Sequence, residues 1–214
     1  MKNLIKAVIF DMDGVLIEAK DWHYEALNKA LGVFGYEISR YEHLITYDGL
    51  PTTMKLEMLT REKGLPGELH DFINELKQKY TMELVYYQCK PRFIHEYALS
   101  KLKLEGYKIC CASNSIRESV DVMLSRSNLY DYMDIIFSAQ DVNKPKPSSE
   151  MYDSIILQLG LTPEQCLIVE DNENGIIAAK ASGAHVMIVD DVNETNIINI
   201  KNKINAINNI EVPK

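Results

Sequence analysis

Two aspartates, two positions apart, follow a short apolar run near the start of the chain. The run Ala7–Phe10 is β-branched and aromatic and too short for a stable helix, which is typical of a strand buried on both faces. Side chains alternate along an extended backbone, so Asp11 and Asp13 project to the same side. Neighbouring carboxylates raise each other's proton affinity unless a cation is present, and a hard divalent cation with oxygen ligands is the simple remedy.

The same residues resemble the first positions of a calcium-binding loop, but the pattern fails after Gly14. Val15 stands where a third oxygen ligand is expected, and Leu16 stands where glycine is required. We therefore do not expect a calcium loop. A strand that ends in two solvated acids without a function is the other alternative, and the remaining strand ends decide between them.

Strands alternate with helices through most of the later chain. This order predicts parallel βαβ units in an α/β, doubly wound sheet. The expected strands after the first are Lys108 to Ala112, Ile135 to Phe137, Leu167 to Val169 and Val186 to Val189.

Between residues 17 and 86 the pattern is helical, with apolar residues at spacings of three and four and no convincing strand. We interpret this block as an all-helical cap domain inserted after the first strand, with residues 1–16 and 87–214 forming the core domain. A helical cap can close over a site and exclude water. A small bundle that only packs on its neighbour is the alternative.

Polar residues are concentrated where the predicted strands end. Ligands of open parallel sheets bind beyond the carboxyl ends of the strands, so these residues are candidates for one site. They are Asp11 and Asp13 after the first strand, Ser113 and Asn114 after the second, Lys144 in the loop beyond the third, and Glu170 and Asp171 after the fourth.

These residue types suit phosphoryl transfer. Asp11 is ionised at neutral pH and can attack phosphorus, while Asp13 can protonate the leaving oxygen and later deprotonate a water. A magnesium ion bridging Asp11, Asp171 and a phosphate oxygen would counter the repulsion between anions. The ammonium of Lys144 would help.

Other readings of these residues stay open on the sequence alone. The Ser113 hydroxyl and the Asn114 amide can donate to phosphate oxygens, but both residues are also common helix caps. Lys144 competes with Lys146 in the run KPKP. The Glu170–Asp171 pair could simply begin a helix, where acids suit the dipole.

Composition limits the classes of function. The net charge of −8 and the pI near 5.2 argue against a nucleic-acid surface. No stretch is long enough to cross a membrane, and nothing at the amino terminus resembles a signal peptide. The four cysteines lack metal-site spacing, so we expect reduced, buried thiols in a cytoplasmic protein.

Four segments together carry a family resemblance. FDMDGVL, ASNS, NKPKPSSEMY and LIVEDNENGIIAAKASGA resemble the signature regions of the haloacid dehalogenase (HAD) superfamily, in its β-phosphoglucomutase-like branch of phosphatases. The resemblance implies a Rossmann-like core with a helical cap, Asp11 as nucleophile, and Asp13 as acid/base and magnesium ligand through its backbone carbonyl. It further implies that Ser113 binds phosphate, that Lys144 neutralises charge, and that Asp171 ligates the metal with support from Glu170.

The predicted cap offers candidates for selecting the substrate. His23 matches a cap-entry histidine of the sugar-phosphate mutases in this branch, although a polar residue in the first turns of a helix is an equal reading. Thr52 stands where those mutases place a phosphate-gripping arginine, which weakens a mutase reading. Lys55 is a further candidate for substrate binding. Glu18 and Ala19 depart from the usual residues at the cap hinge.

These observations predict a magnesium-dependent phosphatase that acts on a small phosphorylated metabolite, such as a sugar or polyol phosphate, through an aspartyl-phosphate. A phosphomutase, which passes the phosphoryl group to a second hydroxyl, is the first alternative. A HAD-fold binding or regulatory protein is the second.

Overall fold

A five-stranded parallel sheet lies at the centre of the computed structural model, which describes residues 4–210. The strands are β1 Ala7–Phe10, β2 Lys108–Ala112, β3 Ile135–Phe137, β4 Cys166–Glu170 and β5 His185–Ile188. They lie in the order β3-β2-β1-β4-β5. The predicted doubly wound α/β fold is therefore confirmed.

The first strand lies in the middle of the sheet, between β2 and β4, which both come from later parts of the chain. Phe10 is paired with Cys111 of β2 on one side and with Val169 of β4 on the other. All four residues of β1 are fully buried, as its unbroken apolar run predicts. The strand order reverses at β1, and the crevice at such a reversal is where open α/β sheets bind ligands.

The part of the chain from residue 4 to 210 contains nine α-helices. In chain order they are α1 Lys20–Gly32, α2 Arg40–Glu42, α3 Thr52–Lys63, α4 His70–Gln88, α5 Phe93–Leu104, α6 Arg117–Arg126, α7 Glu150–Leu159, α8 Glu173–Ala181 and α9 Ile197–Ile210. A π-helical turn, His43–Tyr47, follows α2 directly. Within the described chain, no helix has both the length and the apolar character that crossing a membrane requires.

The chain divides into two compact units. The core unit comprises Met1–Glu18 and Lys90–Lys214, and the helical unit comprises Ala19–Cys89. The division predicted from the sequence, with a cap domain at residues 17–86 and a core domain at residues 1–16 and 87–214, stays a prediction.

Apolar side chains between the sheet and its helices hold the core unit together. Helix α7 packs against β2, β3 and α8, while α8 also packs against β4 and β5. Ile9, Ile168 and Ile155 belong to one buried cluster between these elements. All four cysteines are buried, and none of them forms a disulfide, as the sequence predicts.

The helical unit is built around a separate apolar cluster. Residues 19–89 are all described, and their regular structure consists of helices alone. Helix α1 packs mainly on α4, and the cluster includes Leu27, Leu31 and Leu59. Helix α3 is terminated by the residue after Lys63, Gly64, whose φ of 70° lies in the left-handed region that glycine adopts without strain.

Candidate active site

Three carboxylates meet where the two central strands of the core unit end. Asp11 follows β1, Glu170 is the last residue of β4, and Asp171 follows it. One oxygen from each of the three lies within 4.8 Å of the others. The parallel register of β1 and β4 produces this convergence, since Phe10 pairs with Val169 and the Asp11 N–H donates to the Val169 carbonyl at 3.0 Å.

A buried lysine binds two of these acids. The Nζ atom of Lys146 lies 2.6 Å from Asp11 Oδ1 and 2.7 Å from Glu170 Oε1, and it donates to the Ala112 carbonyl at 2.8 Å. These three contacts use all three N–H donors of the ammonium. The residue is only 2% exposed, so its position is fixed by packing as well as by charge.

The structure therefore brings Lys146, and not the predicted Lys144, into contact with Asp11 and Glu170. Lys144 is exposed, and its backbone N–H donates to Glu150 at the start of α7 at 3.0 Å. Both lysines lie in the same loop, two residues apart. Spacing alone did not separate them, because an irregular loop has no periodicity that indicates which side chain points inward.

Four groups surround the carboxylate of Glu170. Besides Lys146, the hydroxyl of Tyr152 donates to Oε1, and the backbone N–H of Asp171 donates to Oε2 at 3.2 Å. Gly175 in the first turn of α8 lies against the same carboxylate, since a Cβ there would be 2.0 Å from Oε1. Gly175 is therefore required at this position, because any side chain there would collide with the Glu170 carboxylate.

Burial and charge act together on the acid–lysine pair. Burial raises the pKa of Asp11 well above its usual value, against the opposing effect of Lys146, and Glu170 and Asp171 raise it further. Burial alone would lower the pKa of Lys146, but Asp11 and Glu170 outweigh it and raise the pKa well above the usual value. The lysine is therefore held as an ammonium, facing an excess of negative charge.

This excess charge and the chemistry of the donors fit a hard divalent cation. Three carboxylates close together offer only oxygen ligands, which is the donor set that magnesium prefers. A cation held by Asp11, Glu170 and Asp171 would offset their mutual repulsion.

The second aspartate of the motif lies at a tight turn beside the end of β2. Its Oδ2 accepts a hydrogen bond from the Ser115 hydroxyl at 3.0 Å. Gly14 makes the turn with a φ of 90°, and its N–H donates to Ile17 at 2.7 Å. Asp13 is thus positioned by groups from two strand ends of the core unit.

The two predicted phosphate-binding residues after β2, Ser113 and Asn114, have different hydrogen-bond partners. Ser113 is fully buried, and its hydroxyl oxygen accepts the Ser115 N–H at 3.0 Å. The Asn114 amide donates to the Lys146 carbonyl at 3.1 Å and accepts the Lys146 N–H at 3.0 Å. Asn114 therefore holds the backbone of the buried lysine, and its contact with substrate stays a prediction.

The remaining predicted residues belong to the helical unit. His23 on α1 is half-buried, with Nδ1 3.2 Å from Lys77 Nζ, while Thr52 begins α3. Lys55 on α3 is 7% exposed. Their roles in substrate binding stay predictions.

Two residues with evident parts in the site were not identified from the sequence. Tyr152 occupies an apolar position of the amphipathic helix α7 and reads as an ordinary core residue. Ser115 lies two residues beyond Ser113. Its place shortly after a strand end is the sequence feature that could have identified it as a site residue.

Comparisons with known proteins show the family to which the chain is similar. A family model described as Haloacid dehalogenase-like hydrolase matches residues 8–189. YhcW of Bacillus subtilis (strain 168), whose phosphatase name is provisional, is 30% identical over 189 residues, covering 87% of this chain and 84% of its own. The phosphorylated carbohydrates phosphatase of Thermotoga maritima is 28% identical over 182 residues, covering 84% and 82%.

The fold is also found among solved structures. A crystal structure of β-phosphoglucomutase from Clostridium difficile superposes with a TM-score of 0.81 at 23% identity, covering 94% of this chain and 98% of that one. At this identity the likeness concerns the fold alone.

Proposed function

We propose that this chain, which belongs to the haloacid dehalogenase-like hydrolase family, is a magnesium-dependent phosphatase of a small phosphorylated metabolite. The observation that carries the proposal is the buried cluster in which Lys146 binds Asp11 and Glu170 beside Asp171. It combines an ionisable nucleophile, a fixed positive charge and a set of oxygen ligands at the carboxyl end of the sheet.

In the proposed reaction Asp11 attacks the phosphorus of the substrate and forms an aspartyl-phosphate. Lys146, bound to Asp11 Oδ1, keeps one oxygen of the nucleophile oriented and offsets charge on the phosphoryl group. Magnesium, when bound by Asp11, Glu170 and Asp171, would supply further positive charge beside the phosphoryl oxygens.

Asp13 completes the proposed cycle. Its carboxyl protonates the oxygen of the leaving alcohol and then takes a proton from the water that hydrolyses the aspartyl-phosphate. The Ser115 hydroxyl, 3.0 Å from Asp13 Oδ2, orients this carboxyl. The Ser113 hydroxyl is proposed to donate to an oxygen of the phosphoryl group.

The substrate class is proposed to be a sugar or polyol phosphate. The name of the Thermotoga maritima relative describes action on phosphorylated carbohydrates. His23, Thr52 and Lys55 of the helical unit are proposed to select among such substrates. A phosphomutase needs a second cationic cradle for a bisphosphate, and Thr52 in place of an arginine argues against it.

The proposal is tested by phosphate release from a panel of sugar, polyol and nucleotide monophosphates, with magnesium and with chelator. We expect turnover of a sugar or polyol phosphate that requires the cation and needs no bisphosphate activator. Asp11→Asn should lower kcat by about 10⁴-fold or more, because an amide is a poor nucleophile.

Asp131→Asn is the matched control, since Asp131 is exposed in a turn of the same unit, and it should retain wild-type turnover. Full activity of Asp11→Asn would remove the assigned nucleophile. Activity that appears only with a bisphosphate would favour the mutase.

A further inference from the structure

A buried tyrosine hydroxyl is hydrogen-bonded to one of the acids of the site. Tyr152 lies on α7, is 0% exposed, and donates its hydroxyl hydrogen bond to Glu170 Oε1. A phenylalanine would fill nearly the same space without bringing a hydroxyl into the core. Because burying a hydroxyl costs free energy unless it is hydrogen-bonded, this contact with Glu170 is a specific feature of the site.

The hydrogen bonds to Glu170 distinguish its two oxygens. Oε1 accepts from both Tyr152 and Lys146, and a carboxylate oxygen has two lone-pair positions, so Oε1 is saturated. Oε2 accepts only the longer bond from the Asp171 N–H, at 3.2 Å, among the hydrogen bonds described. The second lone pair of Oε2 is thus the one that remains for a cation or for water bound to a cation.

The same tyrosine also borders the buried lysine. Lys146 Nζ lies 4.9 Å from the centre of the Tyr152 ring, within the range of a cation–π interaction. All three donors of Lys146 are used, one of them on Glu170 and one on Asp11. A Glu170 carboxylate that rotated away would therefore also loosen the contact of Lys146 with the proposed nucleophile.

We propose that Tyr152 is a positioning residue of the active site, which saturates Glu170 Oε1 and so directs Oε2 toward the bound cation. This inference rests on the proposed function, since it assigns Tyr152 a role at the cation site of that reaction. The polar contacts of Tyr152 are with Glu170 and Lys146, and it acts through these two residues. The burial of its ring and the short chain of contacts to Asp11 explain why a tyrosine occupies this core position.

Direct binding of Mn²⁺ to the intact chain, measured by electron paramagnetic resonance of the free ion, tests the inference. Replacing the hydroxyl in Tyr152→Phe should weaken Mn²⁺ binding by about tenfold, since partners of metal ligands contribute on this scale. It should also lower kcat with little change in KM. Tyr107→Phe is the matched control, because the Tyr107 hydroxyl is bonded to Lys201 at 3.4 Å, and Mn²⁺ binding should be unchanged.

A second comparison separates positioning from a general loss of structure. If Tyr152 acts through Glu170, Tyr152→Phe should have almost no further effect on Mn²⁺ binding in a Glu170→Gln background. Equal losses in both backgrounds, or wild-type binding and kcat in Tyr152→Phe, would overturn the inference while leaving the proposed function intact. A wild-type chain that neither binds Mn²⁺ nor releases phosphate would overturn both.

Discussion

The core unit and the helical unit bury polar side chains in different ways. In the core unit the buried Lys146 has a partner for each of its three donors, and Glu170 accepts at both oxygens. In the helical unit His43 is 3% exposed, yet neither ring nitrogen has a hydrogen bond among the described residues. The Oδ1 atom of Asp48 lies 3.9 Å from Nε2, beyond hydrogen-bond distance.

The difference shows what a network of hydrogen bonds does to charge. The core unit keeps an ammonium and carboxylates buried because each offsets the other, whereas His43 is buried without a strong acceptor. Burial first, and then the positive charge of Lys55, lower the pKa of His43 to about 4. The histidine is therefore neutral near pH 7, where the lysine of the core is charged.

The largest expected effect comes from breaking the core network at its lysine. Lys146→Gln removes the buried ammonium and leaves Asp11 and Glu170 facing each other, which should cost about 3 to 5 kcal/mol of unfolding free energy. Turnover should fall by about 10³-fold. Urea unfolding and phosphate release measure the two effects.

Lys144→Gln is the control for that substitution, because the exposed Lys144 lies two residues away in the same loop. Turnover and stability should stay within about twofold and 0.5 kcal/mol of wild type. If Lys144→Gln lost more activity than Lys146→Gln, the assignment of the site lysine would be wrong.

An intermediate effect is expected from one methyl group added beside Glu170 in the core unit. In Gly175→Ala the new Cβ would lie 2.0 Å from Glu170 Oε1, so the carboxylate or α8 must move. Overpacking of this kind costs about 3 kcal/mol, and displacement of Glu170 should weaken Mn²⁺ binding as well.

Gly32→Ala provides the contrast in the helical unit. Gly32 ends α1, and a Cβ there meets nothing within 4 Å. Alanine favours helix over glycine by about 1 kcal/mol, so this variant should be neutral or slightly more stable in thermal unfolding. Equal destabilisation by both substitutions would contradict the close approach of Gly175 to Glu170.

The smallest expected effect concerns the dependence of stability on pH. The pKa of His43 is about 4 in the folded chain, below the usual histidine value, so the unfolded chain binds the additional proton as pH falls. His43 therefore destabilises the fold progressively below about pH 6.5, by about 2 kcal/mol at pH 4.5.

His43→Phe should flatten this part of the profile of unfolding free energy against pH. His95→Gln serves as the comparison in the core unit, because burial also lowers the pKa of His95, whose Nε2 contacts the Val192 carbonyl at 2.7 Å. If the unfolding free energy of His43→Phe fell with pH between 7 and 4.5 as steeply as that of wild type, the lowered pKa of His43 would be contradicted.

The sequence predicted the sheet well because its signals are local. The first four strands contain short apolar runs that end at a polar residue, as in Ala7–Phe10 before Asp11 or the run before Glu170. Side-chain alternation and the rule for parallel strand ends then bring Asp11, Glu170 and Asp171 together without knowledge of tertiary contacts.

The choice between Lys144 and Lys146 and the role of Tyr152 depend on contacts between elements. A loop residue turns inward or outward according to what it meets, and Asn114 meets the backbone of Lys146. Tyr152 follows the apolar period of its helix, so its hydroxyl bond to Glu170 is not visible in the pattern. The π-helical turn His43–Tyr47 has no apolar periodicity that predicts it.

The central place of β1 in the sheet has a consequence for the order in which the protein forms during translation. Its partners begin at Lys108 and Cys166, far behind it on the emerging polypeptide. The helices of Ala19–Cys89 leave the ribosome before either partner exists. We therefore expect β1, which precedes the proposed nucleophile, to stay unpaired while the helices of the inserted segment fold. The nascent protein would then become catalytically competent only after β4 has been synthesised and paired with β1.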